Sequence, residues 1–306
     1  MRKLKSRQRP VLRWMLSLGI VVAIAYLSAC VLLFFLQPRL IYHPTPIVKN
    51  TPKSCQISYQ DVWLPVKNNA GKIERIHGWW ISVSAERQSL GTLLYLHGAG
   101  LNIGSNVNQA CNFQKLGFSV LLIDYRGYGR SQGSFPSESQ IYQDAEVAWD
   151  YLIKNRRIPT KKIFLYGHSL GGAVAIELAL KHPEAAGLIV HNSFISMEKM
   201  VERHRQFRLF PVKLLLTQRF NSIAKVKLLR LPVLFIHGAD DTYIPATMSQ
   251  KLYKNAPQPK RFLLVPKARH NNGDLFWNNP QYRQTIIDFA KPDINQRELE
   301  GVQLPH

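Results

Sequence analysis

Apolar and polar positions follow different patterns in different parts of the chain. Residues 14 to 36 form one apolar run without a formal charge. As a helix rising about 1.5 Å per residue, such a run spans a bilayer core of about 30 Å. Residues 56 to 64 and 73 to 83 cluster or alternate Ile, Tyr, Val and Trp around Asn68-Asn69-Ala70-Gly71, which predicts an antiparallel strand pair. From residue 92 onward, short apolar runs alternate with helical stretches. Strands are predicted at 92 to 96, 118 to 123, 163 to 166, 187 to 190, 233 to 236 and 262 to 265. Helices are predicted at 107 to 116, at 138 to 154, after Ser169, and from about 279 to 289. This alternation predicts an α/β fold with a mostly parallel sheet, helices on both faces and ligands beyond the carboxyl ends of the strands.

The same patterns divide the chain. Residues 1 to 13 are a basic N-terminus, 14 to 36 a transmembrane anchor, 37 to 52 a connector marked by Pro38, Pro44 and Pro46 and expected to be an extended stalk, 53 to 291 the folded domain, and 292 to 306 a C-terminal tail. Residues 192 to 231 break the strand-helix rhythm with two helical pieces split at Pro211, and read as a small cap over the strand ends. The cap's surplus of Lys and Arg is read first as a solvated face, and second as a surface for anionic headgroups or an anionic substrate. Leu209, Phe210, Leu214, Leu215 and Leu216 are expected to pack on the body rather than to line an acyl pocket.

Charge narrows the choice of partner. A formal net charge of +21 favours anionic surfaces, either nucleic acid or acidic lipid. Arg2, Lys3, Lys5, Arg7, Arg9 and Arg13 stand directly before the apolar run, and no nucleic-acid reader motif is present, so membrane lipid is expected and nucleic acid is not. The basic flank belongs on the cytoplasmic side, which places the domain on the opposite, non-cytoplasmic face of a single-pass protein. Leu27-Ser28-Ala29-Cys30 matches a bacterial lipoprotein cleavage box, but residues 31 to 36 stay apolar, and an uncleaved anchor is preferred. Cys55 and Cys111 can pair only if the domain faces an oxidising compartment, and two reduced, buried thiols are the preferred expectation. No Cys/His spacing resembles a zinc site, and no metal or organic cofactor is expected.

The candidate chemistry centres on Gly167-His168-Ser169-Leu170-Gly171-Gly172, between a predicted strand and a predicted helix. A chain turning sharply from strand to helix needs small neighbours two residues either side of the apex, which is the physical content of Gly-x-Ser-x-Gly. A serine hydroxyl needs an adjacent base. Among the ten histidines, His168 is expected to point away by turn geometry, His97 and His237 to anchor loops, His77 and His191 to lie in strands, and His182 to end a helix. His270 follows the last predicted strand in a loop and lies beyond its carboxyl end, on the side of Ser169. An acid is needed to hold the imidazole, and Asp240 or Asp241, also at a strand end, suits that role.

These motifs, with the His97-Gly98 turn and Asp124-Tyr125-Arg126-Gly127-Tyr128-Gly129, resemble the α/β-hydrolase superfamily across residues 53 to 291. The anchor followed by Leu40-Ile41-Tyr42-His43-Pro44 resembles its membrane-anchored bud-emergence-type branch, related to the α/β-hydrolase-domain protein depalmitoylases. The resemblance implies the acid at Asp241 and an oxyanion site from the backbone amides of Ala99 and Leu170. Branch members often carry Asn after the His-Gly pair, where this chain has Ala99 and Gly100, and the shape of the acyl pocket is the feature this departure touches. The implied activity is that of a serine hydrolase cleaving a carboxylic ester or thioester through Ser169, Asp241 and His270 and an acyl-enzyme, with acyl-lipid or acyl-protein substrates. A peptidase on the same fold and a non-catalytic membrane-tethered interaction protein are the alternatives.

Overall fold

The structure is a computed structural model describing residues 4–68, 70–84 and 86–291. The expected tail at 292 to 306, Arg2 and Lys3 of the basic N-terminus, and Asn69 of the expected turn lie outside the described residues. A long helix, α1 (Leu4–Ile41), is followed by the two-residue strand β1 (His43–Pro44) and the antiparallel pair β2 (Gln60–Lys67) and β3 (Ile73–Ile81). Then come β4 (Gly91–Leu96), β5 (Gly100–Leu101), α2 (Val107–Leu116), β6 (Phe118–Ile123), α3 (Glu138–Lys154), β7 (Ile163–His168), α4 (Leu170–Lys181) and β8 (Gly187–His191). The cap carries α5 (Met197–Val201), α6 (Val212–Leu215) and α7 (Ser222–Val226), and the chain returns through β9 (Val233–Gly238), α8 (Ala246–Asn255), β10 (Lys260–Val265), α9 (Gly273–Asn278) and α10 (Pro280–Ala290).

Eight strands form one sheet in the order β10-β9-β8-β7-β4-β6-β3-β2, antiparallel at β2-β3 and β3-β6 and parallel elsewhere. The edge strand β2 alternates, burying Val62, Leu64 and Val66, whereas β4 is buried along its whole length. That is the difference between a strand covered on one face and one covered on both. Side chains alternate between two cores: Leu94 and Leu96 face the side covered by α3, α4 and α8, and Leu93 and Tyr95 face that of α2, α9 and α10. The capping box of Ser137 and Gln140 fixes where α3 begins.

Three expectations need correction. The connector is not an extended stalk from residue 37, because α1 continues to Ile41. Pro38 leaves the Phe34 carbonyl without its helical donor, and the Gln37 side chain supplies one at 2.9 Å. The chain beyond is held to the body: β1 pairs with β5, and the Asn102 side chain donates to the Thr45 and Ile47 carbonyls. Cys55 and Cys111, expected as reduced thiols, form a disulfide with Cα atoms 6.5 Å apart. Their separation of 56 residues in sequence hid a proximity created by packing α2 beside residues 52 to 55. In the cap, Leu209 and Leu214 are 80% and 81% exposed rather than packed on the body, and the helical pieces are shorter and more numerous than the expected two. Leu216 is buried as expected.

Among the described residues one helix is long and apolar enough to cross a membrane, over Leu12–Ile41. Its second half, from Tyr26 onward, docks on the cap. Gln37 donates to the Leu215 carbonyl at 2.8 Å and accepts from the Thr217 amide at 2.8 Å, and Tyr26 stacks on Phe210.

Candidate active site

Ser169 sits between β7 and α4 with φ 55° and ψ −120°, a positive φ that L-residues rarely adopt. The turn closes because its neighbours are small: a Cβ on Gly167 would run into the Gly171 carbonyl, and one on Gly171 into the Leu96 carbonyl. Packing thus holds a strained serine at the sheet's carboxyl edge, with its residue 8% exposed.

The loops after β9 and β10 bring Asp241 and His270 to this point. His270 Nε2 lies 3.1 Å from Ser169 Oγ, and His270 Nδ1 lies 2.7 Å from Asp241 Oδ2. The other carboxylate oxygen accepts the amides of Tyr243 at 3.0 Å and Ile244 at 2.8 Å. Burial alone would raise the Asp241 carboxyl, but hydrogen bonds from His237, His270 and the Ile244 amide outweigh it and hold the group well below the usual carboxylate range. An ionised carboxylate only accepts, so the proton of a neutral His270 ring sits on Nδ1 and Nε2 is free to accept from Ser169. Asp240, the other aspartate of the pair, is exposed to solvent.

His168 does not point away as expected. Its ring lies 5.1 Å from that of His270, and its Nε2 is 3.1 Å from the His270 carbonyl. Burial, reinforced by the nearby His270, pushes the His168 imidazole down to about 3. A neutral ring donating to that carbonyl helps to fix the loop. Asn192, with φ 49°, donates to the same carbonyl at 2.9 Å and accepts from the Gly238 amide at 2.9 Å, tying the His270 loop to the strand that leads to Asp241. Nothing in the sequence pattern singled out Asn192; its position directly after β8, at a strand's carboxyl end, was the available signal.

Ala99 lies beside Ser169 and Leu170 opens α4, and neither amide makes a hydrogen bond to another described residue. The first amides of a helix have no intrahelical acceptor. The Ala99 turn is braced from the motif after β6. Tyr128 donates to the Ala99 carbonyl at 2.8 Å and Tyr125 to the His97 carbonyl at 3.1 Å, while the His43 amide of β1 also reaches the Ala99 carbonyl at 2.8 Å. His97 and His237 serve as loop anchors: His97 Nδ1 is 2.7 Å from the Gly98 carbonyl, and His237 bridges Ser249 and the Ile244 carbonyl.

Two cavities near these groups share a wall residue. One of about 910 Å³ contains Ser169 and is lined by polar groups including Asn106, Gln109, Asn272 and His191. The other, of about 230 Å³, is mostly apolar and lies between α1 and the cap. Tyr243, whose ring is 5.0 Å from that of His270, belongs to the wall of both.

The chain as a whole is similar to known proteins. The family model described as Hydrolase_4, serine aminopeptidase S33, matches residues 87–226. Protein bem46 of Schizosaccharomyces pombe is 33% identical over 257 residues, covering 80% of this chain and 81% of that protein. The α/β-hydrolase domain-containing protein WAV2 of Arabidopsis thaliana is 30% identical over 289 residues, covering 85% of this chain and 89% of its own. The chain belongs to the α/β-hydrolase family. Among solved structures, the esterase Pf2001 of Pyrococcus furiosus superposes with a TM-score of 0.63 at 22% identity, covering 81% of this chain and 98% of that one, a likeness of fold. The expected fold and the bud-emergence resemblance are both met, and this α/β-hydrolase is a hydrolase enzyme.

Proposed function

We propose that the protein is a membrane-anchored serine hydrolase that cleaves a carboxylic ester or thioester by two acyl transfers. The observation that carries this reading is the single imidazole of His270, within 3.1 Å of Ser169 Oγ on one side and 2.7 Å of the Asp241 carboxylate on the other. Ser169 Oγ attacks the carbonyl carbon while its proton passes to His270 Nε2. Asp241 stabilises the imidazolium, and the amides of Ala99 and Leu170 receive the developing oxyanion. The bond to the leaving oxygen or sulfur breaks as His270 returns the proton to it. Water then attacks the acyl-enzyme, gives its proton to His270, and the acid departs as Ser169 regains its hydrogen.

Anchoring through α1 is supported by the length and lipid-like exposure of Leu12–Ile41. The Cys55–Cys111 disulfide fits a domain on the oxidising, non-cytoplasmic side, in keeping with the basic flank. The family model's aminopeptidase description favours an amide substrate as the second reading, and the same attack serves it. Ser169→Ala is expected to keep its circular dichroism spectrum yet to lose p-nitrophenyl acetate hydrolysis by about 10⁴-fold or more and all labelling by a fluorophosphonate. Unchanged turnover contradicts the reading, and loss of amide but not ester cleavage would favour the peptidase.

A further inference from the structure

The cavity between α1 and the cap has no role in the chemistry above, yet one wall of it belongs to the anchor itself. Leu33, Leu40 and Ile41, spaced to share a helix face with Gln37, form one side, and Val201, Phe210 and Leu215 of the cap form the other. The two sides are clamped by Gln37 and by the Tyr26 contacts, including its hydroxyl on the Leu209 carbonyl at 2.9 Å. Tyr243 lines this cavity and also the one around Ser169 and His270. Around it the cap exposes Leu209 and Leu214 among Arg208 and Lys213, an apolar and cationic surface of the kind that seats at an anionic bilayer interface. The cavity holding Ser169 is more mixed, with Asn106, Gln109 and Asn272 in its wall beside Leu101, Leu275 and Phe276.

Resting on the serine-hydrolase reading, we propose that this cavity is the acyl site, filled sideways from the bilayer along α1, and that the substrate is a membrane-resident long-chain acyl ester of a polar alcohol. The anchor is then part of substrate recognition as well as a tether. Relative to water, a chain gains about fourfold for each methylene buried, and a long chain is first concentrated in the bilayer beside α1, so activity per aqueous substrate rises with chain length until the channel is full.

The test uses the full-length protein in anionic phospholipid nanodiscs, with kcat/KM measured for p-nitrophenyl palmitate and p-nitrophenyl acetate. In the wild type the palmitate-to-acetate ratio is expected to exceed one by at least about tenfold. Leu40→Trp and, from the cap side, Val201→Trp fill the channel and are each expected to lower that ratio at least about tenfold. Leu32→Trp, on an exposed face of α1 outside the cavity wall, is expected to keep it. A ratio unaffected by both channel variants, or lowered equally by Leu32→Trp, overturns the channel while leaving the esterase reading intact. A wild type that cleaves neither ester and takes no fluorophosphonate overturns that reading and the channel together.

Discussion

At Asp241 a choice that two adjacent aspartates left open becomes a matter of burial. Asp241 is 5% exposed and shares its carboxylate between His270 and two amides, whereas Asp240 faces solvent. Asp241→Asn is therefore expected to lower kcat by about 10⁴-fold, because the amide presents a donor to His270 and favours the wrong tautomer, while Asp240→Asn stays within about twofold. His168 makes a second residue-scale prediction. Its imidazole stays neutral in the fold down to about pH 3, while the unfolded ring titrates near ~6.5. Below that value the unfolded chain binds the extra proton, so stability falls with pH by about 1.4 kcal/mol per unit from this group and stops falling near pH 3. Urea midpoints in detergent at pH 7 and pH 5 should differ less for His168→Gln than for the wild type. Ser169, Asp241 and His270 were legible because each sits at the carboxyl end of a strand that its own apolar run announced. His168 was misread because the turn alone does not say which loop from 102 residues away will pack against it.

Among the elements, the six strands from β4 to β10 with expected runs were legible to within two residues at either end, since buried parallel strands are short, β-branched runs, whereas the edge strand expected at 56 to 64 is Gln60–Lys67; the expected helices at 107 to 116 and 138 to 154 coincide with α2 and α3. The end of α1 was not, because proline normally marks a boundary, and only the Gln37 side chain on the Phe34 carbonyl lets the helix pass it. Gln37 also joins α1 to the cap. Gln37→Leu leaves the Thr217 amide and the Leu215 carbonyl without their partners and is expected to cost about 1–3 kcal/mol locally, visible as faster hydrogen exchange over residues 212 to 217. The motif after β6 acts at the same scale. Tyr128→Phe removes the hydroxyl that braces the Ala99 turn, and kcat is expected to fall by about 10- to 100-fold with KM little changed.

In the whole molecule, α1, the connector and the hydrolase body form a continuous unit: α1 docks on the cap, β1 pairs beside Ala99, and the disulfide ties residues 52 to 55 to α2. Sequence patterns announced these parts but not their joining, which depends on side-chain contacts spanning more than 170 residues, such as Tyr42 on Gln218 at |i−j| 176. Reducing Cys55–Cys111 is expected to lower stability by about 2–4 kcal/mol, read as an earlier urea midpoint. The central claim is that one serine carries the acyl group. Rapid-quench mass spectrometry during p-nitrophenyl acetate turnover reads it: an acetyl group is expected on the peptide containing Ser169, forming and decaying within the turnover time, and none in Ser169→Ala. Turnover at the wild-type rate with no acyl group on Ser169, or with the acyl group on another residue, would contradict it.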